Sequence, residues 1–277
     1  MPPLSEQDLI LLEAAAEQLE RPSLAARLAA VVGMPVEKLL SWVPDSMQGH
    51  IERATEEALT KALTIARKTL SDGGVKAPWN LSHKVAATMA GVTGGMFGAP
   101  ALVAELPVTT VIILRSIADI ARSHGEDLAN PAVQLACLEV FALGSEGKQE
   151  AVDVQNPRAE SVDQHIRTSY FVARAAMAQQ VTAAAEILTR GTTASGGSAI
   201  TRLIASIASR FGVSVSEKVA AQAIPVVGAV GGGLINALFM DHFQNMAEAH
   251  FTVRKLERQY GAEAVRKEYE RLAARIG

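Results

Sequence analysis

Cysteine is almost absent: Cys137 is the only one in 277 residues, so an internal disulfide framework and any multi-cysteine metal site are excluded. Aromatic residues make up only 4% of the chain, whereas alanine occupies 48 positions. Sheets draw on Val, Thr, Tyr and Phe, while alanine favours closely packed helices. Excess positive charge is also missing. Against 26 basic residues stand 29 acidic ones, giving a net charge of −3, which lacks the footprint of a dedicated nucleic-acid binder. Residues 1–10 carry Glu6 and Asp8 with no basic segment before an apolar run, unlike a secretory signal. The expected location is therefore the cytoplasm or the cytoplasmic face of a membrane. A mean hydropathy of +0.17 is high for a soluble protein and low for a polytopic membrane protein.

Helix signals fill the rest, and no stretch alternates at period two, so the expected class is all-α. Ser5 and Asp8 resemble a capping box opening a helix to Glu20. A second helix ends at Gly33, and 34–44 reads as a connector. Apolar positions Ile51, Ala54, Ala58, Ala62, Ile65 and Ala66 write a long amphipathic helix to about Leu70. Asn130-Pro131 is an N-cap followed by proline at the first helical position, starting a helix to Leu143. Gly125 and Gly261 close the helices before them. Further helices are expected over about 158–190 and 199–210, then from 214, and over 262–276. The expected organisation is an N-terminal helical arm (1–44) and a multi-helix domain (45–277).

Two long uncharged stretches stand out, between Lys84 and Glu105 and from Val219 to Met240. Gly91, Gly95, Gly228 and Gly232 give them small-residue spacing that permits close helix approach or membrane interaction. Each has the length to span a bilayer, but proline and abundant Gly and Ala suit buried central helices or conditional membrane association better.

Several segments resemble the bacterial EcsC family: Leu-Arg-Ser-Ile-Ala-Asp-Ile-Ala-Arg (114–122), Gly-Glu-Asp (125–127) and Cys-Leu-Glu-Val-Phe-Ala-Leu-Gly (137–144). A second block, similar too, comprises Ile-Pro-Val-Val-Gly-Ala-Val-Gly-Gly-Gly (224–233), Phe-Met-Asp-His-Phe (239–243) and His-Phe-Thr-Val-Arg-Lys-Leu-Glu-Arg (250–258). The resemblance is expected to start near Trp42 and leave the arm outside it. It implies a bacterial protein linked to an ABC transporter and to membranes, with no established catalytic residues to carry over.

Phosphate cradles and nucleophile elbows fail on spacing: the glycines at 91–98 lack the G-x-G-x-x-G order, and no G-x-S-x-G occurs. No cofactor is expected. His242 and His250 stand eight residues apart, about 12 Å along a helix, too far to share one metal without other helices, so no metal is expected either. The candidate polar residues are Glu105, Arg115, Asp119, Glu139, Asp241, His242 and His250. Glu105 interrupts uncharged sequence and must be exposed, paired or protonated. Arg115, Asp119, Asp241 and His250 are expected to form one hydrogen-bonded network at the mouth of an apolar groove. Two functions fit. One is a non-enzymatic accessory protein that meets a membrane surface, a hydrophobic ligand or a membrane protein. The other is a hydrolase, metal-dependent or not, using Asp241/His242/His250 and Arg115/Asp119/Glu139.

Overall fold

The computed structural model describes residues 3–20, 24–43, 47–70, 99–145, 169–190 and 197–276, the side chains of 68–70, 99–104, 197–198 and 225–231 excepted. Among these residues every regular element is a helix. In chain order they are α1 (Glu6–Glu20), α2 (Leu24–Val32), α3 (Val36–Leu40), α4 (Gln48–Leu70), α5 (Ala99–Ser123), α6 (Pro131–Leu143), α7 (Ser169–Arg190), α8 (Gly197–Ala223), α9 (Pro225–Tyr260) and α10 (Ala262–Ile276).

The local stop and start signals act as their chemistry requires. The Asp8 N–H donates to Ser5 Oγ at 3.2 Å, and Ser5 Oγ returns a bond to the Asp8 carboxylate. Asn130 Oδ1 accepts the Ala132 N–H at 2.9 Å, with Pro131 at the first helical position. Gly33, Gly125 and Gly261 end their helices at φ of +74°, +80° and +87°, a left-handed conformation that L side chains resist.

Three expectations change. The connector at 34–44 contains the one-turn helix α3, which buries Leu39 against α8. The break expected near 211–213 does not occur, and α8 runs straight through Gly212. Ala208, Phe211 and Val215 all face the core at helical spacing, and that burial outweighs the helix-weakening glycine. The uncharged stretch 219–240 does break, because Pro225 has no N–H to continue α8. Ile224 is extended there and caps α9 instead. No described helix is long and apolar enough to cross a membrane.

α6 lies at the centre, buried continuously from Val133 to Leu143. Around it α5, α7, α8 and α9 pack, joined by Phe141, Phe211, Phe239 and Phe243, whose rings stack at centroid distances of 4.6–6.1 Å. At 36 residues, α9 is about 54 Å long and touches most of the other helices. It runs parallel to α5, the two being laced in order by Glu105–Asn236, Ser116–Gln244 and Glu126–Arg254. α4 packs along α5 and α8.

The N-terminal helices are fastened to this body. Tyr260 donates to Asp8 at 2.7 Å, and Arg27 pairs with Asp241 at 2.6 Å. Glu20, at the last residue of α1, accepts from Ser169 N–H, Ser169 Oγ and Tyr170 N–H at the start of α7, and from Tyr269 Oη of α10. A carboxylate facing the free amides of a helix N-terminus is favourably placed, so α1 caps α7.

Candidate functional site

Two buried polar clusters lie along α9. The first sits where α5, α8 and α9 meet near their apolar ends. Glu105 Oε1 accepts from Thr109 and from Asn236, both at 2.9 Å, and lies 3.5 Å from Lys218 Nζ. Both charged side chains are withdrawn from water, at 10% and 3% exposure. Burial pulls the Lys218 pKa down, and the neighbouring Glu105 carboxylate opposes that shift. Lys218 Nζ also lies 5.0 Å from the Phe239 ring centroid. Of the three states open to Glu105, the structure has it paired. Lys218 was the partner that sequence reading missed, because it falls in a different helix and only the fold brings it opposite.

The second cluster lies where α6, α7, α9 and α10 converge. His250, Arg254 and Glu257 share a face of α9 at three- and four-residue steps. Arg174 of α7 makes a two-pronged pair with Glu257 at 2.8 and 3.2 Å and donates to Tyr170 Oη at 3.3 Å. Because a guanidinium can only donate, the Tyr170 oxygen accepts there, and its own hydroxyl proton is directed at His250 Nδ1, 2.9 Å away. The neutral ring then carries its proton on Nε2, which is buried with no partner. Burial holds the His250 pKa well below its usual value, with Arg174 and Arg254 adding to the effect, so the imidazole stays neutral. Glu139 of α6 completes the cluster. Burial raises its pKa, against the pull of Arg174 and Arg254.

A cleft of about 390 Å³ opens over this second cluster. Its polar lining is Glu139, Arg174, Arg254, Glu257, Glu263 and Arg266, and its apolar wall comes from Phe171 and the small residues of α7.

The other expected residues go to separate places. Asp241 is bonded to Arg27 and, at 3.4 Å, to Asn245. His242 is buried, and its ring meets the Gly144 carbonyl oxygen. Burial takes its pKa down to about 4, so it too stays neutral, and its Nε2–H donates. Asp119 is buried, 3.5 Å from Arg122 on its own helix, while Arg115 is exposed. The single network expected of Arg115, Asp119, Asp241 and His250 is therefore corrected. Asp241 and His250 are nine residues apart on α9, and Arg27 and Tyr170 from other helices claim them separately. Cys137 is fully buried, its thiol pushed up to about 12 by burial, which makes it a core residue. Among the described residues no group of three metal-ligating side chains converges.

Of the glycines, Gly91 and Gly95 lie outside the described residues. Gly228 falls in the first turns of α9, where side-chain surroundings are not described. Gly232 is buried, its carbonyl 3.5 Å from Gln222 Nε2. A close helix approach is found instead at Gly144. A Cβ there would stand 2.9 Å from Phe243 Cε1 and 3.0 Å from Met246 Cγ. Sequence alone places Gly144 just beyond the helix that ends at Leu143; its contact with α9 needs the tertiary fold.

No curated protein and no solved structure matches the chain. The EcsC protein family model matches residues 6–256, so the likeness starts within α1, takes in α2 and α3, and leaves most of α10 outside. Over that span, the chain belongs to the EcsC protein family.

Proposed function

We propose that this is a non-enzymatic accessory protein that meets the cytoplasmic face of a membrane, or a membrane protein there, through the apolar end of the α5/α9 pair. The observation that carries the reading is the placement of Val108 and Leu234, which are 57% and 52% exposed. Single exposed apolar residues are ordinary, but several toward one end of a helix pair are informative. These two flank the Glu105–Asn236 bond that clasps the parallel helices. Val111, Ile112 and Leu238 extend the same region as partly buried residues. Apart from the buried Glu105, charge on the two helices begins beyond it, at Arg115 on α5 and Asp241 on α9, and continues to Glu126, Arg254 and Arg258. The pair is thus apolar at one end and charged at the other.

The competing hydrolase would need Asp241, His242 and His250 for chemistry. Arg27 engages Asp241, the Gly144 carbonyl engages His242 Nε2, and Tyr170 engages His250 Nδ1, which favours a structural role for them. Flotation with phosphatidylethanolamine/phosphatidylglycerol vesicles tests the proposal. Each apolar side chain leaving water contributes about 1.5–3 kcal/mol, so Val108→Glu with Leu234→Glu should release the protein from the vesicles with its melting temperature unchanged. Flotation of the double variant like wild type would defeat the proposal.

A further inference from the structure

We propose that the cleft between α6, α7, α9 and α10 binds a small organic oxyanion, a carboxylate or phosphate monoester carrying a compact apolar group. This cleft lies toward the far end of α9 from Leu234. From Leu234 to Arg254 is 20 residues, about 30 Å of helix, so the inference is independent of the membrane reading.

Glu139 is the first reason. It is 6% exposed, lines the cleft, and no described residue hydrogen-bonds its carboxyl group. Its carboxyl oxygens are not among the sealed, unpartnered polar atoms of the core, so they reach the space of the cleft, where a ligand can meet them. Arg174 and Arg254 act on it through their fields, yet neither forms an ion pair with it. Arg254 is the second reason. Its Nε is committed to Glu126 at 2.8 Å, while its terminal nitrogens donate to no acceptor among the described residues. A carboxyl group and a guanidinium with N–H groups to spare therefore face one space without closing on each other.

The sign of the ligand follows from the surroundings. From α6 the space is faced by Glu139. From α7 it is faced by Arg174, with Tyr170 behind. From α9 come Arg254, Glu257 and, deeper, His250, and from α10 Glu263 and Arg266. Glu257 is neutralised by its two-pronged bond to Arg174, and Glu263 pairs with Arg266 at 3.2 Å. Burial disfavours the charged form of Glu139. Arg254 and Arg258 share the single carboxylate of Glu126, which leaves one positive charge in excess beside the cleft, so an oxyanion is favoured over a cation. A protonated Glu139 can donate to that oxyanion alongside Arg254, a charge-assisted arrangement. The apolar group has its own wall in Phe171, Ala175, Ala178 and Val181. A volume near 390 Å³ is at the small end of ligand sites.

Titration of the full chain with benzoate and phenyl phosphate, followed by calorimetry, is the test. Both should bind and inorganic phosphate should bind at least about tenfold more weakly, for want of the apolar wall. Burial raises the Glu139 pKa, so the affinity for ionised benzoate should fall as the pH is raised through the range in which Glu139 loses its proton. Glu139→Gln should still bind and lose that pH dependence. Ala178 is exposed on the rim, so Ala178→Trp should fold normally and block the cleft. Benzylamine should not bind. The proposal is overturned if neither oxyanion binds at millimolar concentration, if Ala178→Trp binds like wild type, if Glu139→Gln keeps the wild-type pH profile, or if benzylamine binds instead.

Discussion

The two polar clusters on α9 are built from similar groups, yet they differ in one respect. Around Glu105 and Lys218 the charges meet, three donors converge on one carboxylate oxygen, and the assembly is closed to solvent. About 21 Å further along the helix, His250, Tyr170, Arg174 and Glu257 are equally well bonded, but Glu139 and Arg254 beside them are not bonded to each other and open onto a cleft. A buried charge must be matched by something. In the first cluster the match is internal, made at Glu105 Oε1 while Oε2 stays sealed without a hydrogen bond, and the product is stability. In the second the groups open onto a cleft, which leaves capacity for a ligand.

The comparison breaks most visibly at the closed cluster. Glu105→Ala would strand Lys218 in the core and should cost about 3–5 kcal/mol in a denaturant titration. Glu105→Gln with Lys218→Met removes both charges and should recover most of that loss. If the single variant were as stable as wild type, the pair would be solvated after all.

Between the clusters, Gly144 carries the tight contact of α6 with α9. Gly144→Ala must displace Phe243 and Met246 and should destabilise by about 1–3 kcal/mol. An unchanged melting temperature would show that the rings yield freely.

The histidines supply a pH test. His242 sits near a pKa of 4 when folded against about 6.5 when unfolded, so the unfolded chain takes up the proton first. Stability is full above about pH 7.5 and declines as pH falls through 6.5 toward 4, losing on the order of 1 kcal/mol per such histidine by about pH 6. His242→Gln, which can still donate to Gly144, should flatten the slope of stability against pH. A slope identical to wild type would assign the acid sensitivity elsewhere.

The smallest effect belongs to the open cluster. The Glu139 pKa is raised on folding, so this group loses stability as pH rises through its ordinary range, the opposite sign to His242. Glu139→Gln should therefore be as stable as wild type or more stable at about pH 7.5. Clear destabilisation would mean that its carboxylate is a structural partner like Glu105.

Much of the helical layout was legible because its signals are local. Ser5 with Asp8, Asn130-Pro131 and the glycines at 33, 125 and 261 act within a turn or two of themselves. Gly212 misled because a helix propensity of less than about 1 kcal/mol is small beside the burial of Phe211 and Val215 on the same helix. At the site, Glu105, Glu139 and His250 were recognisable as polar residues in apolar sequence. Their partners Lys218, Arg174 and Tyr170 were not, since each lies on another helix and nothing in its own neighbourhood marks it.

By itself, the sequence determined the all-helical class, the caps and stops, and the choice of exposed, paired or protonated for Glu105, since these follow from backbone preferences and desolvation acting on single residues. Only the tertiary structure decided which charges meet. Helix packing set α5 parallel to α9, brought Lys218 to Glu105, gave Asp241 to Arg27, and left Glu139 and Arg254 facing one cleft. Pairings across more than 80 residues depend on how faces pack, and no local pattern encodes them.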